Sequence, residues 1–223
     1  MIFRPNAFLG IFILLVLVDL VTGSMHFQEL RQLTKPLLLI SLILFFGIKG
    51  RKLSKKVYRF TLLALCFSLL GDILLLYDHL SAFYFMLGLM AFLFAHISYA
   101  LVFSTQGKKL FKTELRLVSV ILLSYGTTLY IILHDNLGAL KIPVIIYILG
   151  ILTLAITAYS RKDKVNSLSF KLVFIGTMFF IMSDTILAIN KFLFVIPLSH
   201  LLVMGTYATA QYLIVKGLLA SDD

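Results

Sequence analysis

This sequence predicts an all-α membrane protein of about eight transmembrane helices, folded as a single integral membrane domain over residues 1–223. Three observations carry that prediction. Of the 223 residues 61% are hydrophobic and the mean hydropathy is +1.03, an apolar excess beyond that of a soluble domain. The apolar residues fall in runs near the length of about 20 that a helix needs to cross a hydrocarbon core about 30 Å thick. The basic residues gather between those runs rather than inside them.

Taken in order, the first span covers 7–22. It follows Arg4 and resembles a signal peptide, but Asp19 and the lack of a small-residue cleavage site argue that it is retained. The second covers 36–48, with Lys35 at its mouth and Pro36 in its first turn, where a missing N–H costs nothing. Lys49, Arg51, Lys52, Lys55, Lys56 and Arg59 separate it from the third, 60–77, and the fourth follows at 81–104. Lys108, Lys109, Lys112 and Arg116 precede the fifth, 117–134, and the sixth, 142–159. Arg161, Lys162 and Lys164 precede the seventh, 170–190, and the eighth, 196–216. These three clusters occupy alternate connections, so all lie on one side. The positive-inside rule makes that side cytoplasmic, together with both termini. The net charge of +10 is thereby explained by topology, and no nucleic-acid partner is expected.

The halves of the chain look alike. Residues 60–79 align without a gap on 172–191, matching Asp72 to Asp184, Phe67 to Phe179 and Leu75 to Leu187. Residues 96–102 and 209–215 then end the span that follows each aspartate. The halves 1–110 and 111–223 read as two parallel four-helix repeats about an axis along the membrane normal. Such a repeat brings the two aspartates, at similar height, to the interface of the halves.

Asp72 and Asp184 are the residues most in need of explanation, because an ionisable group at membrane depth costs roughly 3 kcal/mol or more. They either bridge helices through hydrogen bonds or do chemistry. Two carboxyl groups in a low-dielectric site can divide the roles of acid and base. His96 is a core histidine or a member of that site, and Tyr207 and Gln211 share one face of the last span with His200. Lys35 most simply snorkels to the interface; Asp19 and Lys191 read as interfacial anchors. Cys66 reads as a small core or lipid-facing residue. No metal is expected, since a zinc site usually takes three protein ligands and only His96 is clearly a buried histidine. No Gly-x-Ser-x-Gly elbow is present, and Cys66 has no base nearby in sequence, so no covalent nucleophile is indicated.

The run Thr34-Lys35-Pro36-Leu37, the stretch Ser68-Leu69-Leu70-Gly71-Asp72, Gly88 through Ala95-His96-Ile97-Ser98-Tyr99, Ser183-Asp184, and the stretch from Tyr207 to Ile214 together resemble the lysoplasmalogenase family, the YhhN-like multi-pass membrane proteins. The resemblance covers nearly the whole length. It implies an enzyme of the cell (inner) membrane that needs no cofactor. Its partners would be the bilayer and a lysophospholipid, whose vinyl ether it hydrolyses to a fatty aldehyde and a glycerophospho-head group. Carried over by residue, Asp72 and Asp184 would be catalytic, and Lys35, His96, Tyr207 and Gln211 would line the site, with Lys35 placed to meet the lipid phosphate. A small-molecule or lipid transporter with a midplane site is the rival reading, because a repeat and intramembrane charges also describe carriers. A non-catalytic membrane scaffold is the third.

Overall fold

Short connections between long apolar runs leave consecutive helices no choice but to run antiparallel. The computed structural model describes residues 5–25, 27–107 and 113–222. Its long helices are α1 (Pro5–Ser24), α2 (Gln28–Lys49), α3 (Lys55–Leu76), α4 (Ala82–Gln106), α5 (Thr113–Leu133), α6 (Lys141–Ser160), α7 (Ser167–Phe192) and α8 (Ser199–Leu219). Seven of them, all but α8, are long and apolar enough to cross a membrane. Polar residues such as His200, Thr206, Thr209 and Gln211 dilute α8. The protein is thus an all-α, multi-spanning membrane protein. Arg4, Lys108, Lys109 and Lys112 lie outside the described residues.

Local chemistry sets several helix starts. The Ser54 side chain accepts from the Val57 N–H at 3.4 Å, Ser81 from Phe83 at 3.2 Å, and Asn166 from Ser169 at 2.7 Å. Each satisfies one of the N–H groups a helix start leaves open. The expected second span changes most. Pro36 is not in a first turn: α2 begins two turns earlier, and the proline lies inside it. The polar stretch Gln28–Lys35 hides that extension from a hydropathy reading, yet it is helical, which puts Arg31 and Lys35 one turn apart on one face. At the other end of the chain, Ile196 and Pro197 stay outside α8, and Leu198 turns the chain into it with φ +56°.

The most intimate pairs are α7 with α8 and α3 with α4, followed by α4 with α6 and α2 with α3; α5 leans chiefly on α6 at the margin. Small residues permit these approaches, since lipid supplies no hydrophobic drive between helices and packing must do the holding. A side chain at Gly217 would stand 2.9 Å from the Val173 backbone nitrogen, and one at Gly71 2.6 Å from the Phe92 ring. Around this core Leu14, Leu33, Ile131 and Ile142 project outward, the arrangement a hydrocarbon surround favours.

Arg161, read from sequence as one of the loop charges, is instead fully buried. Its Nε donates to Gln106 Oε1 at 3.0 Å and its Nη2 to Ser169 Oγ at 2.8 Å, while Ser169 Oγ donates to the Gly217 carbonyl at 2.6 Å. The guanidinium, 5.5 Å from the Phe103 ring centre, thereby ties α4, α6, α7 and α8 together at the end bearing the basic connections. Burial brings its pKa down to about 10, which leaves it charged at neutral pH.

Candidate functional site

The two aspartates sit at the same register of their helices. Asp72 is 17 residues beyond Lys55 (72 − 55), and Asp184 is 17 beyond Ser167 (184 − 167). At about 1.5 Å per residue each carboxyl is some 26 Å along its helix, toward the end bearing the α1–α2, α3–α4 and α7–α8 connections. Both line one cavity of about 240 Å³. Helix α2 contributes Arg31 and Lys35 to its wall. Asp78 comes from the turn after α3, Ser183 and Asn190 from α7, and Ser199, His200 and Tyr207 from α8.

Asp72 is almost sealed, with 2% of its side chain exposed. Lys35 Nζ lies 3.3 Å from Oδ1, and Tyr207 donates its hydroxyl to Oδ2 at 2.9 Å. Lys35 is therefore not a snorkelling residue: it is 5% exposed and turned inward. A buried carboxylate persists only when paired and hydrogen-bonded, and this one is both. Gln211 is one step behind. Its Nε2 donates to Ser68 Oγ at 2.9 Å and to Tyr207 Oη at 3.4 Å, while its Oε1 accepts from Tyr99 at 2.8 Å. Fully buried and off the cavity wall, it orients Tyr207.

Asp184 is the more accessible acid, 15% exposed in its side chain. Tyr147 of α6 donates to its Oδ2 at 2.6 Å. His96 Nε2 stands 3.7 Å from the same oxygen, beyond hydrogen-bond length, and neither ring nitrogen has another partner among the described residues. The His96 ring is wedged between Tyr147 and Phe180, at centroid distances of 5.2 and 4.8 Å. Like Gln211, it backs the site and does not line the cavity. Phe92, Phe180 and Tyr207 pack edge to face beside it, an aromatic floor beneath the two acids. Asp184 and Leu187 also border a second, apolar cavity of about 50 Å³ between α4, α5, α6 and α7. At its outer margin Tyr125 of α5 is hydrogen-bonded to Thr185 of α7.

The structure thus brings Asp72, Asp184, Lys35 and Tyr207 around one hollow and sets His96 and Gln211 behind them. Tyr147 escaped the sequence reading although a signal for it existed. Lys35 precedes Asp72 by 37 residues (72 − 35), and Tyr147 precedes Asp184 by the same 37 (184 − 147). The offset of 112 (172 − 60) that aligns 60–79 with 172–191 also carries Lys35 onto Tyr147 (35 + 112). Asp19 is not an interfacial anchor. It is buried, accepting from Thr34 Oγ1 at 2.9 Å, with His200 Nε2 3.2 Å from its carbonyl oxygen. Lys191 holds Asp78 at 2.7 Å across the rim. Among the described residues no three His, Cys, Asp or Glu side chains converge as metal ligands would.

Comparison with known proteins gives the following. The model of the YhhN family matches residues 30–218. The human protein named Lysoplasmalogenase TMEM86A is 32% identical over 160 residues, covering 71% of this chain and 65% of its own. The bovine protein of the same name is 31% identical over 163 residues, with the same coverage of 71% and 65%. The chain therefore spans a little under two thirds of the length of these relatives. No solved structure matches it.

Proposed function

The chain belongs to the YhhN family, and from that premise we propose that it is a membrane-embedded hydrolase cleaving the vinyl ether bond of a lysoplasmalogen or a related lysolipid. The observation that carries the reading is the position of Asp184. One carboxyl borders both a polar cavity, shared with Asp72, and an apolar one. A single-chain lipid needs such a junction, with head group on one side and hydrocarbon on the other.

The two acids differ in surroundings, and so in role. Asp72 faces Lys35 at 3.3 Å, a partner that favours its carboxylate form. Asp184 faces Tyr147 and His96, carries no such counter-charge, and is open to the cavity. In the proposed reaction Asp184 delivers its proton to the vinyl carbon remote from oxygen, giving an oxocarbenium ion. Asp72 stabilises that charge and takes a proton from water as the water adds to the cationic carbon. The resulting hemiacetal breaks its carbon–oxygen bond to the glycerol as its hydroxyl proton is transferred to the leaving oxygen, releasing aldehyde and alcohol, and the proton Asp72 took from water passes to Asp184. Tyr147 and Tyr207 hold the two carboxyls at fixed orientation, with Gln211 behind Tyr207.

The two four-helix halves, 1–110 and 111–223, belong to the same proposal. Their support is the matched register of the acids and the crossing of partners: Tyr207 of α8 meets Asp72, and His96 of α4 faces Asp184. With the basic connections cytoplasmic, the cavity opens on the opposite face of the cell membrane. The test uses purified protein in detergent, supplied with lysoplasmalogen and read for aldehyde. Asp184→Asn and Asp72→Asn should each lower turnover per folded molecule by at least about a hundredfold. Full activity in either variant overturns the mechanism. Aldehyde release without a second compartment excludes transport as the activity measured.

A further inference from the structure

Resting on the reading of this cavity as a lysolipid site, we infer that Arg31 and His200 form its subsite for a phosphate ester, in place of Lys35. Lys35 is committed elsewhere, held 3.3 Å from Asp72. Arg31 stands one turn before it on α2, lines the cavity, and has no carboxylate partner among the described residues. Its Nε is buried without a hydrogen-bond partner. His200, on the same cavity wall from α8, has Nε2 3.2 Å from the Asp19 carbonyl oxygen and 3.8 Å from the Asp19 carboxylate, whose charge favours a doubly protonated ring with Nδ1 as a second donor; Nδ1 is buried without a partner among the described residues.

The charges around the cavity make Arg31 the exception. Asp72 is answered by Lys35, Asp78 by Lys191, and the Asp19 carboxylate stands 3.8 Å from His200 Nε2, which leaves Arg31 the cavity-lining cation with no carboxylate in ion-pair reach among the described residues. A partly buried cation without a counter-ion is costly, and a guanidinium fork matches two phosphate oxygens. The first turn of α8 adds to the same pole: its cap residue, Leu198, offers no side-chain acceptor, and although the Ser199 N–H donates to the Ile196 carbonyl at 3.1 Å, Ser199 and His200 line the cavity. Gly23 on α1 makes the placement of His200 possible: a β-carbon there would fall 1.9 Å from His200 Nε2. A phosphate at Arg31 and His200 anchors the polar end of a lysolipid whose reacting bond lies at Asp184, with the first carbons of its chain at the apolar cavity of about 50 Å³.

The test compares 1-O-alkenyl-glycerophosphoethanolamine with 1-O-alkenylglycerol, which lacks the phosphate. The readout is the ratio of their kcat/KM values in wild type, Arg31→Gln, Arg31→Lys and His200→Ala. Arg31→Gln should shrink the ratio by about tenfold to a hundredfold, the weight of charge-assisted hydrogen bonds. Arg31→Lys should restore part of it, and His200→Ala should lower it. A variant that loses activity equally on both substrates, or keeps the wild-type ratio, overturns the subsite. Binding of the non-hydrolysable 1-O-alkyl-glycerophosphoethanolamine supplies a readout without turnover. Were wild type to release no aldehyde, the hydrolase reading would fail while Arg31-dependent binding of this ether still upheld the subsite. Inorganic phosphate competing as strongly as the ether lipid would overturn its assignment to a lipid head group.

Discussion

Removing Lys35 tests the physical core of the site, independently of any substrate. The ammonium and the Asp72 carboxylate are 3.3 Å apart, with 7% and 2% of their side chains exposed. At an effective dielectric of about 20 their attraction is roughly 332/(20 × 3.3), or about 5 kcal/mol. Breaking a buried pair from one side typically costs about 3–5 kcal/mol, because the remaining charge stays buried without its partner. Lys35→Met should therefore destabilise strongly, as should Asp72→Asn, which strands the ammonium. For a chain of this size each kcal/mol moves the midpoint by about 2–4 °C, so each single variant should melt roughly 6–20 °C lower. The double variant, stranding no charge, should recover at least about half of the summed loss. Thermal unfolding in detergent, followed by size-exclusion of the surviving fraction, measures all four proteins. Strict additivity of the two single losses would refute the pair and with it the assignment of Asp72 as the acid held by Lys35.

Two further outcomes separate site from scaffold. Tyr147→Phe removes the 2.6 Å hydrogen bond to Asp184 and should lower kcat by about tenfold to a hundredfold with KM little changed; an unaltered kcat in steady-state aldehyde release would deny Tyr147 a positioning role. Arg161→Met strips partners from Gln106 and Ser169 at the opposite end of the bundle. It should cost about 1–3 kcal/mol of stability in a detergent melt, with kcat per folded molecule unchanged. A fall in kcat without a fall in melting temperature would tie that end of the bundle to catalysis.

Hydropathy made α1 to α7 legible because a bilayer imposes a single length and a single polarity on every span, while polar residues dilute α8. It misplaced their ends where a helix continues into polar sequence. The first two turns of α2 were lost that way, and with them the shared face of Arg31 and Lys35. Asp72 and Asp184 stood out because charge is so rare in apolar runs. Their tyrosines did not, since Tyr147 and Tyr207 look like any aromatic residue at membrane depth until their hydroxyls are seen on the carboxylates. Arg161 and Asp19 erred the other way. Position near a helix end suggested water for both, and both are buried against neighbours far off in sequence.

The sequence by itself determined the class of molecule, an all-α multi-spanning membrane protein, and singled out the two acids by their depth in apolar runs, properties of segments measured against a hydrocarbon slab. Tertiary structure alone decided which cation neutralises which acid, that His96 and Gln211 stand behind the cavity instead of in it, and that Arg31 is left with no carboxylate partner among the described residues. Those outcomes depend on the rotation of each helix about its own axis. Rotation is set by packing between side chains a hundred or more residues apart, as Tyr207 and Asp72 are, and hydropathy along a single span carries no record of it.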